Sequence, residues 1–178
     1  MRIIKAQDYT LSNGLKLIAT RCSLHPIICL QLYIKAGSGY ESSQTSGYAH
    51  FVEHLTFRQT GKYSGDEISA LVSSWGATLN AYTDLDTTCY YILLPFEYLA
   101  QGAELLLELG FNARFSPSAH QLEKDIIREE IKQYIDDPDA AFLEWIQKDY
   151  LHDSPYQKPV LGTLTSIEHS SLNKINHY

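Results

Sequence analysis

No apolar run in this sequence approaches the ~20 residues that span a bilayer as a helix, so no membrane partner is expected. Positive charge is scarce as well. The 14 Lys and Arg stand against 21 Asp and Glu, a net charge of −7. Nucleic acid calls for a basic footprint, so it too is not expected as a partner. Cysteine is rarer still, at three residues. Cys22, Cys29 and Cys89 lie in apolar, strand-like stretches with no ligand spacing. That argues against a disulfide framework or a zinc ribbon, and they read as small buried hydrophobes. The start, MRIIKAQDYTL, lacks an apolar stretch of signal-peptide length, so a cytoplasmic location is the expectation.

What is present is an ordinary globular composition. Across 178 residues, 44% are apolar and 20% charged, enough for one domain with a real core. Residues 9–22 alternate around Asn13-Gly14, which predicts a hairpin with a tight turn. The stretch PIICLQLYIKAGSG is long, β-branched and apolar, and reads as a central strand. A helix is predicted from Ser46 to Phe57. A second runs from Ser64, a capping serine followed by acidic residues, to Gly76. Residues 77–95 read as two strands around Asp84-Leu85, closed by Pro95. Helices follow over 97–114, 118–136 and 139–152, then a loop, then a short helix from Ser170 to Tyr178. This order predicts an α+β fold: one mostly antiparallel sheet with helices packed against it, in a single domain.

The chemistry concentrates in HFVEH. At ~100° per helical residue, His50, Glu53 and His54 share an arc of about 100°. Histidines one turn apart can reach one ion, and a carboxylate between them can act on water without being a ligand. The alternative is a surface helix with an unremarkable histidine pair.

The stretch QLEKDIIREEIKQYI adds a second element. With Leu122 at 0°, Leu122, Ile126, Ile127, Ile131, Tyr134 and Ile135 fill an arc reaching to about 220°. Glu123 and Glu130 fall inside that arc, at about 100° and 80°, whereas Glu129 falls outside. A buried unpaired carboxylate costs several kcal/mol, so two on one apolar face require a cation or strong donors. An ion held by His50 and His54 would serve, with Glu130 or Glu123 completing a His₂Glu set that leaves a fourth position open, as catalytic zinc sites do. A salt bridge to Arg or Lys is the alternative.

With these residues in place, HFVEH resembles the inverted zinc motif of the inverzincins, the family of pitrilysin, insulin-degrading enzyme and mitochondrial processing peptidase. The flanking GSGYE, GATLNAYTDLDTTCYYILLP and LEKDIIREEI are similar to that family's segments in the same order, across nearly the whole chain. The resemblance implies the N-terminal catalytic half of such an enzyme, a zinc-dependent endopeptidase acting on peptides or unfolded segments. By position, His50, His54 and Glu130 would hold one Zn²⁺ and Glu53 would be the catalytic base. Glu123 would be the supporting carboxylate behind the ligands. The strand TLNAYTD would be an exposed edge to which substrate adds, with Asn80, Ala81 and Tyr82 as contact residues. The family works as paired homologous halves, so a second half or a homo-oligomer is the implied partner. The domain, residues 1–178, would stop short of its family's last strand. The competing reading is a non-catalytic peptide-binding or scaffolding subunit of a two-part peptidase. His25, His120, His152, His169 and His177 read as surface or locally bonded residues, and Trp75 and Trp145 as core or groove lining.

Overall fold

The hairpin at the start of the chain shows how far local signals reach. The computed structural model describes residues 6–21 and 25–178. Strand β1, Ala6–Thr10, pairs antiparallel with β2, Lys16–Thr20. The connection is longer than a two-residue turn. Only Gly14 takes a positive φ, at 86°, while Asn13 works through its side chain, whose Oδ1 accepts the Leu15 N–H at 3.1 Å. The two strands form a separate sheet whose residues are all exposed.

The main sheet has three antiparallel strands: β3 (Ile27–Ile34), β4 (Thr78–Thr83) and β5 (Thr88–Pro95), in the order β3-β5-β4. The expectation of a central β3 is corrected: β5 is central and β3 lies at an edge. The residue pattern explains it. In β3, Ile28, Leu30, Leu32 and Ile34 face the core while the intervening residues are exposed, which is the alternation of a strand covered on one face. Cys89 in β5 is buried as expected. Cys29 is exposed, because it sits on the outward register of β3, and Cys22 lies outside the described residues.

The helices are α1 (Tyr48–Thr56), α2 (Gly65–Ser74), α3 (Leu99–Asn112), α4 (Pro117–Asp136), α5 (Pro138–Tyr150), α6 (Leu164–Glu168) and α7 (Leu172–His177). Ser64 closes a full capping box with Glu67 at the start of α2. Helix α6 was not anticipated. Its Thr163 cap is paired with Ser166 where a capping box usually has Glu or Gln. Among the described residues, no helix is long and apolar enough to cross a membrane.

Two cores organise these elements. Tyr48, Phe51 and Leu55 of α1 pack with Ile127 and Ile131 of α4, Ile167 of α6 and Ile175 of α7. The inner face of the sheet, through Tyr90, Ile92 and Leu94, packs on Ile68 of α2 and Leu105, Leu106 and Leu109 of α3. Helix α1 touches α4 on one side and β4 and β5 on the other, so it lies where the two cores meet. Helix α4 buries a narrower stripe than its apolar arc suggests: His120, Glu123, Ile127 and Ile131. Leu122, Ile126 and Ile135 are exposed because only α1, α5 and α6 pack closely on this helix. Trp145 is also exposed, stacked on Phe142 of its own helix, which corrects the expectation of a core or groove position.

Candidate metal centre

Helix α1 starts without a capping side chain of its own. Its N-cap, Gly47, sits at φ 88°, and a Cβ there would lie 2.6 Å from the Leu161 carbonyl oxygen. Glu41, six residues upstream, takes over the capping: its Oε2 accepts the Gly47 N–H and its Oε1 the Ala49 N–H, each at 2.7 Å. From this anchored start, the helix projects His50 and His54 toward α4 and Glu53 toward β4.

The two imidazoles meet with Nε2 atoms 3.2 Å apart. Glu130 of α4 reaches them both, Oε1 at 3.8 Å from His50 Nε2 and Oε2 at 3.7 Å from His54 Nε2. One donor atom from each of the three lies within 4.8 Å of the others. Tetrahedral zinc with Zn–N bonds near 2.05 Å needs nitrogens about 3.3 Å apart, so these residues fit the ion. Glu129, beside Glu130, points away and pairs with Lys132 at 2.6 Å. Glu130 is not buried as its place on the helical arc suggested. Its side chain is 40% exposed.

Glu123 lies behind the pair, 2% exposed. Its Oε2 is 2.9 Å from His54 Nδ1, and its Oε1 accepts a bond from Arg58 Nε. The two alternatives for Glu123, a role beside a histidine and a salt bridge to arginine, therefore coexist. Burial pushes the Glu123 carboxyl up, but the bonds from His54 and Arg58 outweigh it and hold the group below its ordinary range. Burial pulls His54 down, and the Glu123 bond and nearby carboxylates more than offset that, leaving it raised. A carboxylate on Nδ1 keeps the proton there and leaves the Nε2 lone pair free to bind a metal. His50 is lowered to about 4 by burial and then by His54, so it is neutral at physiological pH and its lone pair is available.

Glu53 is held from the sheet side. Thr83 Oγ1 donates to its Oε2 at 2.6 Å, and Thr83 lies 3.4 Å from Thr88 Oγ1, which donates to the Ala36 carbonyl at 2.9 Å. Burial raises the Glu53 carboxyl above its ordinary range, against the Thr83 bond. A cleft of about 660 Å³ opens at this point, with Glu53, His54, Arg58, Asn80, Glu123 and Ile126 on its walls. Asn80 thus faces the cleft, with its Oδ1 taking the Ala81 N–H at 2.9 Å. Ala81 turns inward onto the sheet core, and Tyr82 stands exposed beside Tyr91. Strand β4 is an edge of its sheet.

Sequence reasoning missed Glu41, Arg58 and Thr83. Thr83 carried a signal, a polar residue in the inward register after Leu79 and Ala81. Arg58 lies one turn past His54, just beyond the helix end. Glu41 sits in a loop with no periodicity to mark it.

Three comparisons bear on what this arrangement is. The family model described as insulinase (peptidase family M16) matches residues 18–164. An uncharacterized zinc protease of Bacillus subtilis, YmxG, is 29% identical over 172 residues, 95% of this chain and 42% of its own length. The mitochondrial-processing peptidase subunit beta of Neurospora crassa is 32% identical over 159 residues, 89% of this chain and 32% of its own length. The crystal structure of a protease from Helicobacter pylori superposes with a TM-score of 0.87 at 25% identity, over 98% of this chain and 42% of that one. The chain therefore spans no more than about two fifths of the length of these relatives.

Proposed function

This chain belongs to the insulinase family of peptidases, peptidase family M16, and on that premise we propose that it is the metal-binding half of a zinc endopeptidase that cuts peptides or unfolded segments. The observation that carries the proposal is the convergence of His50, His54 and Glu130 donors within 4.8 Å, with Glu53 held beside them by a strand. His50, His54 and Glu130 would hold the ion. Bound there, zinc supplies Lewis-acid activation of water and of the scissile carbonyl.

The chain's own residues do the rest. Glu53 is the general base. Its Oε2 is taken by the Thr83 hydroxyl, so Oε1 receives the proton from the attacking water and returns it to the leaving amine. Glu123 and Arg58 fix the His54 ring from behind. Substrate lies along the open edge of β4 as an added strand, and Asn80 gives up its bond to Ala81 N–H to meet it.

A second homologous half completes the enzyme. The share of its relatives' length that this chain covers supports that partner, as does a relative named as a subunit. The test is cleavage of a mixed peptide library by the zinc-loaded chain beside Glu53→Gln. Loss of cleavage in the variant, with zinc content unchanged, supports the reading. Equal cleavage by both proteins removes Glu53 from the chemistry and overturns it.

A further inference from the structure

The geometry points to Glu41 as the positioning residue of the metal centre, a carboxylate that sets the height and rotation of α1 and so the meeting of His50 and His54 with Glu130 of α4. This inference rests on the reading of those histidines as metal ligands.

Helix α1 carries two of the three ligand residues and the base within nine residues, yet it has no capping side chain at its N-cap and no acidic residue in its first turn. Its first N–H groups lie in a buried region where water does not serve them. Glu41 is 4% exposed and spends both carboxylate oxygens on the Gly47 and Ala49 N–H groups. Ala49 precedes His50, so the second bond ends one residue from a ligand. The Glu41 main chain is fixed in turn, since Lys158 Nζ donates to its carbonyl. The far segment clamps the same corner: Ser166 Oγ donates to the Ser46 carbonyl at 2.5 Å, and Gly162, at φ 79°, lies against Gly47. Glu41 is the charged group in this corner that bonds to α1 itself.

A glutamine in its place keeps the shape but replaces one acceptor with an NH₂ donor, which faces a backbone N–H. One bond is lost and α1 must shift or turn to relieve the conflict. Ligands mispositioned by supporting groups typically lose ten- to a hundredfold in metal affinity.

The experiment uses the full chain and Co²⁺ as a spectroscopic stand-in for zinc. It compares the parent, Glu41→Gln, and Leu106→Ala, the last a cavity in the other core that lowers stability without touching α1. The expected result is about tenfold weaker Co²⁺ binding and a shifted visible band in Glu41→Gln, while Leu106→Ala keeps the parent's affinity and band at a lower Tm. An unchanged affinity and band in a folded Glu41→Gln overturns the inference while the metal reading stands. Equal losses in both variants also overturn it, since the effect would then follow stability alone. Absence of Co²⁺ and Zn²⁺ uptake by the parent overturns the metal reading and the inference with it.

Discussion

His54 and Glu123, 69 positions apart in the chain, share a 2.9 Å contact between Nδ1 and Oε2, and this contact presents the opposite ring nitrogen to His50 and Glu130. Glu123→Gln removes the charge that holds the His54 proton on Nδ1 and leaves Arg58 without its ion-pair partner. Zinc affinity measured by competition with a chelator dye is expected to fall ten- to a hundredfold. An unchanged affinity would mean that the ring is oriented by packing alone.

Glu130 and Glu129 are neighbours with opposite surroundings. Glu130→Gln is expected to weaken zinc binding by at least tenfold, whereas Glu129→Gln, which loses only an exposed pair with Lys132, changes it by less than about twofold. The same chelator competition reads both. A reversed order would move the third ligand to Glu129.

Glu41 makes stability depend on pH. Burial pushes its pKa up to about 7 from an ordinary 4.5, against the Ala49 and Gly47 bonds and the charge of Lys158, with the Tyr48 and Tyr178 hydroxyl groups close by. The native state therefore holds this proton over a range in which the unfolded chain has released it. Its contribution is complete below pH 4.5 and is lost as pH rises through 7. The stability difference between the parent and Glu41→Gln should shrink by about 3 kcal/mol or less over that span. Denaturant unfolding of both proteins across the range measures it, and a flat difference would show that Glu41 ionises normally.

Ile126 and Ile127 test how α4 packs. Ile127→Ala, in the fully buried stripe, is expected to cost about 2–5 kcal/mol by urea unfolding. Ile126→Ala, on the cleft wall, is expected to cost under about 1 kcal/mol.

Asn80 is the β4 side chain on the cleft wall. Asn80→Ala is expected to raise KM for peptide cleavage severalfold with kcat nearly unchanged, because it removes a contact equally available before and during reaction. A fall in kcat alone would place Asn80 in the chemistry.

The parts of this architecture that sequence revealed are those governed by short periods. Two histidines one turn apart, and a capping serine with Glu67 three residues on, follow from helix geometry alone. The placement of Glu123 and Glu130 on one face of α4 was legible for the same reason, although the arc overstated burial: Leu122 and Ile126 look outward where no element packs. Strand order was not legible. An eight-residue β-branched run suits a centre or an edge, and only its tertiary neighbours make β3 an edge. Arg58, Thr83 and Glu41 act across loops and layers, through contacts that no local pattern encodes.

The position of α1 at the meeting of the two cores also orders events in time. A chain emerging from the ribosome holds His50 and His54 long before residue 130 exists, and closing that span costs entropy that only later packing returns. An ion held by all three residues would need α4 docked on α1, and metal uptake during refolding is then expected to report that step.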